Sequence, residues 1–327
     1  MLLTTSCTHA MELALLALGV RPGQEVVCPS FTFSSTANAV LRVAGRPVFA
    51  DIDELTLGLD PADVERRLSA DTAGVLPVHY GGVAMDVDGL LALAEERGLW
   101  IVEDAAQALT ARYRGRPLGA FGDAGCFSFH ETKNVTCGEG GALVVRNPEL
   151  AERAEVIREK GTNRRAFLRG QVDKYSWVAE GSSYVLSDLL AAVLDVQLDK
   201  LEDIQRRRRS VVDRYRHGLA GWAAQHGVRL PPQLPGREDN AHLFYMLLPD
   251  EAARDRCMHQ LGAAGVGAAF HFVPLHTAPF GRSLGAADTP LPVTDRIAAT
   301  LLRLPLFPDL SDAQVERVID AVTATLG

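Results

Sequence analysis

One lysine in this chain stands where its amine can do covalent chemistry. Lys133 follows the apolar run 125–129, and Gly138, Gly140 and Gly141 come soon after it. Ligands of α/β sheets bind beyond the carboxyl ends of the strands. A partly desolvated, cationic pocket lowers the pKa of a lysine, so that part of the amine is neutral and can form a Schiff base. Taken alone, such a lysine is more often a surface residue, so the case depends on its companions.

The first companion is an acid at the end of an apolar run. Asp104 ends the run 100–104, and a buried carboxylate in such a place can keep the pyridine nitrogen of pyridoxal 5′-phosphate (PLP) protonated. Gln107 would lie on the same side of a helical turn, where its amide could hydrogen-bond the phenolic oxygen of the ring. The alternative for Asp104 is a helix N-cap, the more common role of an isolated aspartate.

A small polar segment near the start of the chain is the second companion. Residues 4–10 read Thr-Thr-Ser-Cys-Thr-His-Ala and lead into a helix predicted over 10–18. Backbone amides at a helix start bind phosphate, and Ser6 or Thr8 would add a hydroxyl. Ser128 could supply another. The alternative is an ordinary helix cap without a ligand.

Aromatic and imidazole side chains complete the set of candidates. Phe33 follows a predicted strand and could stack on the pyridine ring, although burial in the core is the commoner use of a phenylalanine. The histidines at 79, 130, 271 and 276 lack the spacing of a metal site such as HExxH, so no metal is expected. His271 and His276 are expected either near the substrate or in the core.

Composition excludes several classes of function. The 327 residues carry a formal net charge of -8 and 6% aromatic residues, which disfavours nucleic-acid binding. Five scattered cysteines without a CxxC pair favour a reducing compartment, here the cytoplasm. No apolar run approaches the roughly 20 residues of a membrane helix. Residues 206–209, all arginine, are interpreted as a solvated helix face.

The elements that must position these residues alternate along the chain. Short β-rich runs separated by helical stretches predict a mostly parallel sheet in an α/β domain. A long helix is predicted over 187–219. The second unit has strand candidates at 243–248 and 267–272 and a final helix at 312–326. The expected division is a large domain over 1–204 and a smaller α+β domain over 205–327.

The motifs in this order resemble the DegT/StrS family of PLP-dependent sugar aminotransferases over essentially the whole chain. The strings that carry the resemblance are TTSCTHA, PVHYGGVAMD, VEDAAQ, GCFSFHETKN, REKGTNR, FLRGQVDKY and RLPLF. The resemblance implies the aspartate-aminotransferase-like fold (fold type I) and PLP as the cofactor. It also implies a homodimer with shared active sites.

The same resemblance implies roles for individual residues. Lys133 matches the Schiff-base lysine, Asp104 the partner of the pyridine nitrogen and Gln107 the partner of the phenolic oxygen. The remaining implied cofactor contacts are Thr8 and Ser128 at the phosphate, Phe33 on the ring, and Ser183 reaching the phosphate from the neighbouring subunit. Cys7, beside Thr8, is a further candidate cofactor contact. Family members place an asparagine at the last of these positions. His271, His276 and Arg164 are candidate substrate contacts.

The implied reaction is the amination of carbon 4 of a dTDP-4-keto-6-deoxyhexose, with L-glutamate as the amino donor. An aminotransferase for another keto-sugar or a cyclitol remains open, because the cofactor motifs do not select the substrate. A sugar dehydratase is disfavoured, since those relatives replace the lysine with histidine. Family members carry some tens of residues before the phosphate-binding turn, so an N-terminal segment is expected to be missing here. A PLP-fold protein without turnover is therefore a further alternative.

Overall fold

The computed structural model describes residues 1–286 and 289–326. The strands are β1 (Leu2–Thr4), β2 (Glu25–Pro29), β3 (Arg46–Ala50), β4 (Thr72–Val75), β5 (Trp100–Asp104), β6 (Arg112–Tyr113), β7 (Arg116–Pro117), β8 (Ala124–Ser128), β9 (Gly141–Val145), β10 (Arg237–Glu238), β11 (Phe244–Leu247) and β12 (Leu301–Leu304). The helices are α1 (Cys7–Leu18), α2 (Ser34–Arg42), α3 (Pro61–Arg67), α4 (Val87–Arg97), α5 (Pro148–Arg158), α6 (Arg164–Leu168), α7 (Asp188–Asp199), α8 (Leu201–Gln225), α9 (Glu251–Ala263), α10 (Pro279–Ser283), α11 (Pro292–Thr300) and α12 (Asp312–Thr323).

The central sheet has the strand order β1-β9-β8-β5-β4-β2-β3. Strands β3, β2, β4, β5 and β8 pair in parallel, whereas β9 runs antiparallel to both of its neighbours. The parallel strands β5 and β8 end at the same edge, where Asp104 pairs in register with Cys126. The predicted α/β fold with a mostly parallel sheet is therefore confirmed, and this edge is where a ligand is expected.

Helix α1 packs against the sheet and presents its first turn to that edge. Its apolar side chains, among them Met11, Leu13 and Leu15, are almost fully buried in the main core cluster. The Ser6 side chain caps the helix by accepting from the amide of His9, and Gly19 ends it in the left-handed conformation at φ 77°. The helix thus begins at Cys7, three residues before the predicted start.

The second unit is built around the antiparallel pair β11 and β12. Helices α8, α9 and α12 cover this pair, and their apolar faces form a separate cluster that includes Tyr215, Phe244 and Leu302. The long helix predicted over 187–219 is two helices, because the chain breaks at Lys200 between α7 and α8. The predicted domain division at 204–205 falls inside α8.

The strand predicted over 267–272 is wrong. In this segment only Ala269 forms a bridge, with Arg303 of β12. The chain then reaches Pro274, which has no amide to donate to a ladder. Phe272 instead lines a cavity between the two units. No described helix is long and apolar enough to cross a membrane.

Candidate active site

A cavity of about 820 Å³ lies at the carboxyl edge of the sheet, between the large domain and the second unit. It gathers most of the side chains that the sequence predicted for a cofactor site. These are Cys7, Thr8, Phe33, Asp104, Gln107, Ser128, Lys133 and His271. Lys133 and Asp104 therefore open into one space, as the predicted chemistry requires.

Lys133 lies in a loop that begins where β8 ends. Its amide donates to the carbonyl of His130 at 3.0 Å. The next residue, Asn134, is buried and donates from Nδ2 to the carbonyl of Asn240 at 2.8 Å, which ties the loop to the second unit. Burial lowers the pKa of Lys133, with the charge of Arg303 acting in the same direction and Cys7 and Asp104 acting against it. The amine is thus held closer to the neutral form that attacks a carbonyl.

Asp104 ends β5 and is 5% exposed. Its Oδ1 accepts from the amide of Ala106 at 3.1 Å, and its Oδ2 accepts from the hydroxyl of Thr36 at 2.9 Å. Burial raises the pKa of Asp104, and those two hydrogen bonds together with the charges of Lys133 and His79 oppose the rise. No helix follows Asp104 directly, so the N-cap alternative is wrong.

Gln107 lies two residues beyond Ala105, in a single hydrogen-bonded turn rather than a helix. The turn is closed by the amide of Ala108 donating to the carbonyl of Ala105 at 2.9 Å. The Gln107 Oε1 accepts from the amide of Gly81 at 2.7 Å. This bond leaves the amide nitrogen of Gln107 as the group that could donate to a ligand in the cavity.

The first turn of α1 forms the polar wall of the cavity. Ser6 uses its hydroxyl to cap the helix, while Thr8 donates to the hydroxyl of Ser35 at 2.8 Å. The hydroxyl of Ser128 accepts from the amide of His130 at 3.3 Å. Burial raises the pKa of the Cys7 thiol well above its usual value. Hydroxyls and first-turn amides facing one space are suited to a phosphate group.

The aromatic wall is formed by Phe33, His271 and Phe272. Phe33 is 61% exposed at the cavity, whereas Phe31 is fully buried in the core. The Nδ1 of His271 shares a hydrogen bond with the hydroxyl of Tyr80 at 2.9 Å. Burial, with the charges of Arg303 and Lys133, lowers the pKa of His271 to about 2, so its imidazole is neutral at ordinary pH.

Three predicted residues do not line this cavity. His276 is buried and its Nδ1 shares a hydrogen bond with the hydroxyl of Ser30 at 2.7 Å. Arg164 is exposed on α6, with its Nη1 3.9 Å from the carboxylate of Glu159. Ser183 is exposed on the surface. A role for Arg164 or Ser183 in a cavity would require a second subunit.

Sequence reasoning missed several residues of the cavity wall. Arg208 of α8, His242 and Arg303 of β12 come from the second unit, and Thr32 precedes α2. Arg303 stands in the string RLPLF, which carried the resemblance, so that string was the available signal. The prediction of a solvated face over 206–209 is wrong for Arg208, which is 5% exposed because its guanidinium donates to the carbonyls of Ala241 and His242.

Comparison with known proteins identifies the relationship. The model of the DegT/DnrJ/EryC1/StrS aminotransferase family matches residues 1–323. The chain belongs to this family. One relative is SpsC, a spore coat polysaccharide biosynthesis protein of Bacillus subtilis, which is 37% identical to this chain over 335 aligned residues. The alignment covers 97% of this chain and 83% of SpsC.

Two solved structures are similar to this chain over nearly its whole length. The aminotransferase TlmJ from Streptoalloteichus hindustanus has 36% identity and a TM-score of 0.90, over 99% of this chain and 84% of that one. DesV from S. venezuelae has 38% identity and a TM-score of 0.90, and the match covers 98% of this chain and 83% of DesV.

Pyridoxal 5′-phosphate is the cofactor of this aminotransferase. The residues present fit that group. Lys133 supplies an amine, Asp104 supplies a buried carboxylate, and the turn at Thr8 supplies donors for a phosphate. In the described ranges, no group of three His, Cys, Asp or Glu side chains is arranged to hold a metal ion.

Proposed function

We propose that this aminotransferase acts on a keto-sugar, and specifically that it aminates carbon 4 of a dTDP-4-keto-6-deoxyhexose with L-glutamate as the donor. This is the reaction of a dTDP-4-amino-4,6-dideoxygalactose transaminase. The observation that carries the proposal is the single cavity shared by Lys133 and Asp104. Membership in an aminotransferase family supports the reaction type. The resemblance of the motifs supports the substrate.

The proposed roles follow from the chemistry of each side chain. Bound PLP supplies a carbonyl carbon and a ring that takes up electrons. Lys133 would hold this group through its Nζ, and its free amine would move a proton at the substrate carbon that bears the nitrogen. The Asp104 carboxylate holds a proton on the pyridine nitrogen. Phe33 restrains the plane of the ring, and Gln107 donates to its phenolic oxygen.

The charge of the cavity wall supports anionic substrates. Arg208 donates to the backbone carbonyls of Ala241 and His242, and burial lowers its pKa to about 10, so it stays cationic at neutral pH. In the part of the chain that the structure describes, neither Arg208 nor Arg303 has a carboxylate within 4.0 Å. Two such cations suit the carboxylates of glutamate and the diphosphate of a nucleotide. Neutral His271 is the proposed hydrogen-bonding contact for the sugar.

We also propose a homodimer in which each subunit contributes to the other's site. Trp177 is 80% exposed and Leu189 of α7 is 82% exposed. Large apolar side chains that face solvent together are typical of a protein–protein interface. Val193 and Val196 lie on the same helix and are exposed too. Ser183 lies in the chain between Trp177 and α7. A second copy covering this face would bring Ser183, and with it Arg164, towards its neighbour's cavity.

The proposal is tested by assaying the purified protein with PLP, glutamate and a panel of nucleotide-linked keto-sugars. We expect 2-oxoglutarate to form with a dTDP-4-keto-6-deoxyhexose, and product analysis to place the nitrogen on carbon 4. Lys133→Ala should abolish both turnover and the borohydride-sensitive visible band of bound PLP. Lys200→Ala, which removes an exposed lysine between two helices, is the matched control.

Each other outcome counts against a defined part of the proposal. Turnover only with a different keto-sugar or a cyclitol would replace the substrate and keep the reaction. A visible band without any 2-oxoglutarate would favour a protein that binds the cofactor without catalysis. Survival of the band in Lys133→Ala protein would contradict the role of the lysine.

A further inference from the structure

Two threonine hydroxyls form a buried chain that ends on the Asp104 carboxylate. The Thr36 hydroxyl lies 2.9 Å from Asp104 Oδ2, and the Thr32 hydroxyl lies 2.8 Å from that of Thr36. Thr36 is 0% exposed and Thr32 is 2% exposed. Water therefore does not replace either hydroxyl, and both bonds lie in a medium of low polarity, where charge-assisted hydrogen bonds are strong.

The direction of this chain depends on the charge of Asp104. An ionised carboxylate only accepts hydrogen bonds, so Thr36 must donate its single hydroxyl proton to Asp104. Thr36 then has only lone pairs left for Thr32, which must be the donor in that pair. With Oδ1 taken by the amide of Ala106, both carboxylate oxygens are bound from the protein side. The chain of donors thus matches the ionised form of Asp104.

Local sequence explains why both threonines reach the same acid. Thr32 precedes α2, and Thr36 stands in its first turn, with its amide donating to the carbonyl of Phe33 at 3.2 Å. Thr32 lies just before the N-cap Phe33, outside the helix, and its hydroxyl meets that of Thr36 at the first turn. The turn that presents Phe33 to the cavity therefore also delivers Thr36 to Asp104.

We propose that Thr36, supported by Thr32, is a positioning residue that holds the Asp104 carboxylate ionised and oriented towards the pyridine nitrogen of PLP. The inference depends on the cofactor and not on the identity of the sugar. Without Thr36 one carboxylate oxygen loses its donor in a buried site. The pair between the carboxylate and the protonated ring nitrogen is then weakened, and the proton resides more on the acid.

The other ionisable groups facing Asp104 come from separate elements. Lys133 follows β8, His79 follows β4, and Cys7 and Cys126 belong to α1 and β8. A substitution at Thr36 leaves all of these in place. Its effect on the pH dependence of the cofactor's absorbance can therefore be assigned to the lost hydroxyl.

The test compares Thr36→Val, which removes the hydroxyl, with Thr36→Ser, which keeps it, in the full chain. We expect Thr36→Val to weaken PLP binding roughly ten- to a hundredfold, because a hydrogen bond to a buried charge is lost. The pH titration of the visible band should shift as well. Thr36→Ser should stay within about threefold of the unchanged protein, since the donor remains.

Thr294→Val is the matched control, because Thr294 is fully buried in α11 and its hydroxyl has no partner within residues 1–286 and 289–326. It should leave PLP affinity and spectrum unchanged. If Thr36→Val does not fold, Thr32→Val tests the same chain one step away, with a smaller shift in the same direction expected. Unchanged PLP affinity and an unchanged titration in the folded variant would overturn the proposal. Failure of the sugar assay alone would leave it standing, since the readout is the cofactor.

Discussion

Burial of the Lys133 amine has a cost for the stability of the protein without its cofactor. The pKa of Lys133 is lowered from 10.5, mainly by burial, so the folded state binds this proton less tightly than the unfolded state does. Below the lowered pKa both states are protonated and the penalty to folding is complete. The penalty decreases as pH rises from the lowered pKa towards 10.5.

We predict that Lys133→Met stabilises the cofactor-free protein at pH 7, because the methionine fills the space without a charge. The gain over the unchanged protein should shrink as pH rises towards 10.5. Denaturant unfolding at a series of pH values, with PLP removed from both proteins, measures it. A gain that does not vary with pH would assign the effect to packing alone.

At the residue level, the sequence predicted the groups that stand beside strand ends. Lys133 and Asp104 were recognisable because each follows an apolar run. Thr36 was not, since its role depends on a contact with Asp104, 68 positions away. His276 stood between two alternatives, and burial of its side chain against Ser30 supports the core.

At the level of elements, β5 carries two adjacent acids with different tasks. Asp104 faces the cavity, whereas Glu103 accepts from the amides of Gly119, Phe121 and Gly122 and from His79. Through the three backbone amides, Glu103 fixes the segment between β7 and β8. Burial would raise the pKa of Glu103, but the hydrogen bond and charge of His79 and the backbone amides lower it overall.

We predict that Glu103→Gln destabilises the fold by about 3 kcal/mol at neutral pH, because a buried charge loses its match with several donors. A depressed carboxyl pKa stabilises the fold above the unfolded value of 4.5, and this contribution is lost as pH falls through the folded pKa. The difference between the two proteins should therefore narrow in acid. Urea titrations at neutral and acidic pH measure the free energy of unfolding of both proteins. A difference that does not change with pH would show that the charge of Glu103 does not contribute to stability.

Strands β5 and β8 lie within one residue of the apolar runs 100–104 and 125–129, because continuous apolar runs between helices are typical of buried parallel strands. Two elements failed for local reasons. The helical pattern over 187–219 does not reveal the break at Lys200, and the apolar segment 267–272 resembles a strand although it runs along the cavity.

At the level of the whole molecule, the exposed face of α7 is the feature that an isolated chain does not explain. We predict that Leu189→Asp yields monomers and lowers PLP-dependent turnover at least tenfold, because the neighbour's Ser183 no longer completes the site. Light scattering after gel filtration, with an activity assay, measures both. Leu55→Asp, at a 47% exposed leucine outside α7, is the control. A fully active monomer would contradict the shared site.

Helix α8 is embedded in the hydrophobic clusters of both units. Leu201 and Ile204 pack on the cluster around Phe129, whereas Val211 and the residues after it belong to the cluster of the second unit. Arg208 lies between these two anchorages. A rotation of one unit relative to the other would therefore bend α8 or move it together with one unit. In either case the Arg208 guanidinium would be displaced relative to the cavity wall of the other unit. Widening of the cavity and deformation of the connecting helix are therefore mechanically coupled.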